Sequence, residues 1–160
     1  MVAEALGSLD ETNSFLGLAR SKTKGLKFKI INREIKFSEL ILEVQQNLFI
    51  VQAEVAGSEK SIAPEKIKKV EIIVDEIEKV LPPIKNFFLS GATEISANFD
   101  FARTLIRRAE RRVIGAIEEG KIKMSAATLS YLNRLSSLLY ALARISSHID
   151  GAKEIKPDYK

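Results

Sequence analysis

The chain predicts an all-α fold, a five-helix antiparallel bundle, and three observations carry that reading. Five stretches hold apolar residues at helical spacing. Glycine or proline stands at most of the breaks between them. Period-two alternation is confined to Leu26-Lys-Phe-Lys-Ile30, too short and isolated to found a sheet. Long helices joined by short connections pack antiparallel.

The first helix is expected over roughly residues 2–20, with Leu6, Leu9, Asn13, Leu16 and Arg20 along one stripe. A lysine-rich linker, Ser21 to Lys29, breaks at Gly25. The second helix covers about 37–56, where Leu40, Ile41, Val44, Leu48, Val51 and Val55 keep helical period and Gly57 sits at the C-terminal cap. Pro64 suits the first turn of the third, whose stripe is Ile67, Val70, Ile73, Val74 and Ile77, and Pro82-Pro83 stops it. Asn86 to Ala92 lacks helical period and reads as an ordered loop. The fourth helix spans about 93–118, capped by Thr93 or Ser90 and ended by Gly120. The fifth covers about 125–149, with Leu129, Leu132, Leu135, Leu139, Leu142 and Ile145 inward and Gly151 closing it. Residues 1–151 thus form one domain and 152–160 a C-terminal tail.

Composition narrows the function. At 160 residues, 46% hydrophobic and 29% charged, the chain is large enough for a real core. With no cysteine it has no disulfide, thiolate nucleophile or thiolate-bound metal. No apolar run approaches about 18 residues, so no membrane partner is expected. No basic-then-apolar leader opens the chain, and a cytoplasmic protein is the expectation. The net charge of +4 is spread among interleaved Lys and Glu without a basic tail, which argues against nucleic acid. No Glu-x-x-His pair marks a di-iron bundle, the lone His148 lies near a helix end, and no metal ligands are assigned.

The densest chemistry lies in Phe101 to Arg112, which holds five arginines and one glutamate within about three helical turns. Arg103, Arg107 and Glu110, spaced i, i+4, i+7, project from one face, while Ala102, Leu105, Ile106, Ala109, Val113 and Ile114 are expected to face the core. The guanidinium fork binds phosphate or carboxylate through two parallel hydrogen bonds, so the cluster points to a polydentate anion. Polar residues also interrupt apolar faces elsewhere: Asp10 and Asn13 in the first helix, Asn133 and Arg134 in the fifth. Such groups need partners near a core, and Asp10, Asn13, Arg103, Arg107, Glu110 and Asn133 together suggest one wet pocket or a subunit interface.

Three blocks resemble the PduO-type ATP:cob(I)alamin adenosyltransferases, the cobalamin adenosyltransferase family. Gly7-Ser-Leu-Asp-Glu-Thr-Asn-Ser-Phe-Leu-Gly-Leu-Ala19 is similar to G-T-x-D-E-L-N-S-x-I-G-x-A. Phe87-Phe-Leu-Ser-Gly-Ala-Thr93, running into Ala102-Arg-Thr-Leu-Ile-Arg-Arg-Ala-Glu-Arg-Arg112, is similar to F-I-L-P-G-G-T followed by A-R-x-x-x-R-R-A-E-R-R. Tyr131-Leu-Asn-Arg-Leu-Ser136 and Leu142-Ala-Arg144 are similar to Y-L-N-R-L-S-D-x-L-F-x-x-A-R.

The resemblance implies an enzyme that transfers the 5′-deoxyadenosyl group of ATP to cob(I)alamin, giving adenosylcobalamin and triphosphate. It also implies a homotrimer with active sites between subunits. Arg107, Arg108, Glu110 and Arg111 match the ATP-contacting run, and Asn133 the nucleotide-contacting asparagine. Asp10 and Arg103 match a pair that bridges subunits and shapes the corrinoid pocket, and Phe87 matches the aromatic that displaces the lower axial ligand of cobalamin. ATP and cobalamin are the implied substrates, with Mg²⁺ on the phosphates. A reductase and an adenosylcobalamin-dependent mutase are the candidate partners. Cob(I)alamin is itself a powerful nucleophile, so one histidine and no cysteine is no obstacle.

The chain departs from the pattern at Ser90 for the loop proline, Ala92 for a glycine, Ser137 for an aspartate and Asp100 at a common histidine position. The family's T-x-x-G-D-x-G-x-T loop before the first helix has no counterpart here, and a sequence shortened at its N-terminus is the expected reason. The rival reading is a non-catalytic corrinoid- or nucleotide-binding and delivery relative lacking that loop. A basic helical nucleic-acid binder ranks last, because the arginines are confined to one helix.

Overall fold

The computed structural model describes residues 1–160. Five helices form, α1 (Val2–Lys22), α2 (Phe37–Val55), α3 (Pro64–Val80), α4 (Glu94–Glu118) and α5 (Ala126–Ile149). Their buried residues follow the expected stripes: Leu9 and Leu16 of α1, Val44, Leu48 and Val51 of α2, Ile73 and Ile77 of α3, and Leu132, Leu135 and Leu139 of α5 join one core. Consecutive helices alternate in direction. Glu43 and Asn47 of α2 meet Lys69 and Lys66 of α3, and Glu11 and Lys22 of α1 meet Arg108 and Glu94 of α4. No helix is long and apolar enough to cross a membrane.

Helix ends follow local chemistry. Thr93 caps α4 in a reciprocal box with Ser96, its hydroxyl accepting from the Ser96 amide at 3.1 Å while the Ser96 hydroxyl accepts from the Thr93 amide at 2.9 Å. Beyond α4, Gly120 takes φ +68°, a left-handed turn that a side chain resists.

Two features depart from expectation. The stretch after Gly25 is half of a β-hairpin, β1 (Lys27–Ile30) paired antiparallel with β2 (Arg33–Lys36). It closes one end of the bundle, because Phe28 inserts beside Phe37 (centroids 4.8 Å apart) and Phe37 stacks on Phe99 (5.7 Å). Ile114, expected to face the core, is exposed.

Two buried polar clusters fix α5 against the rest. Asn47 donates to the Tyr131 hydroxyl at 2.9 Å and accepts from Lys66 Nζ at 2.5 Å. Burial pushes the Tyr131 phenol above its ordinary range, so it keeps its proton beyond the pH at which an exposed tyrosine ionises. Glu54, at the end of α2, receives the Ser125 amide, the Ser125 hydroxyl and the Thr128 hydroxyl. A carboxylate there satisfies donors left open at the first turn of α5 and complements the helix dipole. Glu54→Ala strands those donors in a buried corner and is expected to lower stability by about 2–4 kcal/mol. Urea denaturation measures this, and a loss below about 0.5 kcal/mol, the scale of an ordinary surface change, contradicts the role.

Candidate functional site

The arginines of α4 divide among three environments. Arg103 is half-buried: its Nε lies 3.3 Å from Asp100 Oδ1, one turn back, and its guanidinium carbon sits 5.9 Å from the centroid of the Tyr140 ring on α5. The aromatic face and the carboxylate together hold this cation with one edge turned to a cavity of about 910 Å³. Arg108 turns the other way and pairs with Glu11 of α1. With Arg112 and Glu4 it lines a smaller recess of about 310 Å³ beside the start of α1.

Arg107 and Arg111 are exposed, and neither has an ion-pair partner within the chain. They share the arc of α4 that carries Glu110, whose Oε1 accepts from Asn133 Nδ2 of α5 at 3.0 Å. Arg103 meets Tyr140 and Glu110 meets Asn133, so α4 and α5 run antiparallel in register. Arg107 therefore lies midway, at the level of Ser136 and Ser137. Successive arginines along this arc are one helical turn, or about 6 Å, apart. A row of cations with unsatisfied forks runs along the α4–α5 seam from the rim of the larger cavity.

That cavity lies at the end of the bundle where α3 stops, α4 begins and α5 ends. Its walls are the loop 84–92, Ser96, Asp100 and Arg103 of α4, the last turns of α5, and the segment after residue 152. Pro82-Pro83 denies the loop helical structure, and the Thr93 cap fixes where it re-enters helix. Phe87 projects from the loop, 81% exposed, into the cavity mouth. An aromatic ring left so exposed on an ordered loop gains little from packing and is available to a ligand.

Of the residues marked in the sequence, the chain brings together Arg103 and Phe87 at the cavity, and Arg107, Glu110, Arg111 and Asn133 along the seam. Arg108 stands apart with Glu11. Asp10 lies exposed on α1 and touches neither cavity, so it does not meet Arg103 within one chain. Asn13 is sealed inside, donating to Gln45 O at 3.3 Å while Gln45 Nε2 donates to Asn13 O at 3.0 Å. It is a buried tie between α1 and α2. The six polar groups therefore do not form one pocket in a single chain.

Tyr140 and Arg144 escaped the sequence reading as site residues. Their spacing of four places them on one face of α5, and Arg103 comes seven residues before Glu110 just as Asn133 comes seven before Tyr140, a correspondence visible only once the two helices are paired.

Comparison with known proteins adds family to geometry. The family model described as Cobalamin adenosyltransferase matches residues 1–146. The corrinoid adenosyltransferase PduO of Citrobacter freundii is 36% identical over 152 residues, covering 91% of this chain and 42% of the relative. The corrinoid adenosyltransferase of Bacillus subtilis is 30% identical over 158 residues, covering 96% of this chain and 78% of the relative. The chain thus spans about two fifths of the PduO relative's length. Among solved structures, a variant PduO-type ATP:corrinoid adenosyltransferase from Lactobacillus reuteri complexed with cobalamin and ATP superposes with a TM-score of 0.84 at 25% identity, over 99% of this chain and 84% of that one. Another variant from the same organism, complexed with ATP, gives a TM-score of 0.81 at 26% identity, over 96% of this chain and 85% of that one.

Proposed function

The chain belongs to the cobalamin adenosyltransferase family, and from that premise we propose that it transfers the 5′-deoxyadenosyl group of ATP to cob(I)alamin at sites between subunits of a homotrimer. The observation that carries the reading is the unpaired arginine row of α4 leading away from the cavity that holds Phe87. Such a layout suits a reaction whose nucleophile is a large macrocycle and whose leaving group is a polyanion.

In that reaction cobalt supplies the electron pair. The cobalt–carbon bond forms at the ribose 5′ carbon as the bond from that carbon to the triphosphate oxygen breaks, and triphosphate departs with the pair. The protein needs no base of its own. Its part is to hold the two reactants in line and to stabilise charge on the leaving phosphates. Arg107 and Arg111 carry that charge, while Asn133 and Glu110, already bonded to each other, orient the nucleotide. Phe87 wedges against the lower face of the corrin, removing its axial ligand. Mg²⁺ carried on the triphosphate would neutralise further charge beside Arg107 and Arg111.

A trimer accounts for two further observations. Asp10 and Arg103 do not meet within one chain, whereas a neighbour's α1 laid along α4 could bring them together. Large apolar side chains also remain uncovered: Phe101, Leu18, Leu42 and Phe49. Phe101 packs edge-on to Phe15 with Leu18 about one turn further along α1, and Leu42 and Phe49 lie seven residues apart on one stripe of α2. Exposed apolar patches of this kind mark protein contacts.

The test is an anaerobic assay with MgATP and chemically reduced cobalamin, followed by visible absorption. The expected result is the spectrum of adenosylcobalamin and release of triphosphate. Binding of both ligands without that spectral change refutes the transferase reading and leaves a binding and delivery role. Sedimentation is expected to give three 17.8 kDa chains per particle.

A further inference from the structure

Arg144 makes an unusual pair of contacts. The residue is only 8% exposed, at the inner end of the large cavity. Its Nη2 donates to Pro82 O at 3.1 Å, at the root of the loop 84–92. Its Nε lies 3.4 Å from Glu154 Oε1, beyond α5, in an alignment that leaves this buried nitrogen without a hydrogen bond. Next to Glu154, Ile155 O accepts from the Leu89 amide at 2.8 Å. One guanidinium and one backbone bond therefore join the Phe87 loop to the segment 152–160, which has neither helix nor strand of its own. Lys156, Pro157 and Tyr159 of that segment line the cavity opposite Arg103 and Tyr140.

We propose that residues 152–160 are a working wall of the corrinoid site, and that Arg144 is a positioning residue that latches this wall to the Phe87 loop. The proposal rests on the corrinoid reading of the cavity. A segment with few contacts of its own opens at low free energy, and here its main ties are one ion pair and one backbone hydrogen bond. The ion pair is largely shielded from solvent and so acts more strongly than a surface pair, yet its alignment is incomplete. A wall held this way can swing aside to admit a bulky macrocycle and re-form against it. When it closes, the Leu89 amide is tied two residues from Phe87, so retention of the ligand and placement of the wedge share one latch.

Glu154→Lys in the full chain puts a second cation against Arg144 and opens the latch, while the bundle core is untouched. It is expected to weaken cobalamin binding about tenfold, with ATP affinity and melting temperature unchanged. In the unaltered protein, cobalamin is expected to slow trypsin cleavage after Lys153, an effect that ATP alone does not produce. A variant that binds cobalamin as tightly as the parent, or cleavage indifferent to cobalamin, overturns the latch. Arg144→Lys, which keeps charge but loses the fork, is expected to fall between parent and Glu154→Lys in cobalamin affinity; equality with the parent also counts against the proposal.

If the unaltered protein binds no cobalamin, the corrinoid reading fails on its own. The latch is then judged without ligand, by hydrogen exchange at the Leu89 amide. Glu154→Lys is expected to speed that exchange at least tenfold, and equal rates overturn the proposal.

Discussion

Replacing Arg107 by alanine is expected to abolish measurable ATP binding while leaving the bundle folded. The side chain is exposed and pairs with nothing in its own chain, so its removal strands no buried partner. Surface changes of that kind usually move stability by no more than about 0.5 kcal/mol. Removing one of three like charges stacked at intervals of four along α4 relieves repulsion and favours the fold slightly. The ligand loses much more. Two charge-assisted hydrogen bonds from one guanidinium are together worth about 3–4 kcal/mol, or two to three orders of magnitude in affinity. Calorimetric titration with MgATP, beside a thermal melt of the same sample, checks both halves. Arg107→Lys keeps the charge without the planar fork and is expected to bind between the two. Normal turnover of ATP and cob(I)alamin by the alanine variant would falsify the assignment of this arc to the nucleotide.

Phe87→Ala separates chemistry from binding. The ring is too exposed for its loss to unsettle the core, so thermal stability is expected to hold. If its work is to press the lower ligand off cobalt, the variant should bind ATP normally and still accept cobalamin. Its turnover with cob(II)alamin and a reductant is expected to fall at least about tenfold, equivalent to ~1.4 kcal/mol of barrier. Turnover measured with fully pre-reduced cob(I)alamin, which has already shed its lower ligand, should fall less. Equal losses in the two assays would mean that Phe87 only shapes the pocket.

How far such a site is legible in advance depends on the range of the interactions that build it. Helix stripes, the Thr93 cap and the glycine stops are local, and they were readable because 3.6-residue geometry acts within a few residues. The arginine row was legible for the same reason. Ile114 was misjudged although the geometry was available: eleven residues beyond Arg103 and seven beyond Arg107, it falls on their exposed arc. The hairpin was missed because β2 carries charges on both faces, Arg33, Glu34 and Lys36, so that only Ile35 hints at a strand. Its pairing is made by Phe28 reaching Phe37 and Phe99, which no period reveals. Long-range polar contacts were invisible altogether. Nothing near Arg144 announces Pro82 or Glu154 as its partners, and nothing near Tyr131 announces Asn47.

The carboxylate of Glu54 has one more consequence, for the order in which the chain is made. Its partners Ser125 and Thr128 lie 71 and 74 residues downstream. While the ribosome is still adding α3 and α4, this anion has no donors to receive it, and the corner it later occupies must stay wet. The far end of α2 therefore cannot seal until the start of α5 emerges, so closure of that corner comes late in synthesis. A chain interrupted before residue 125 keeps that corner open to solvent.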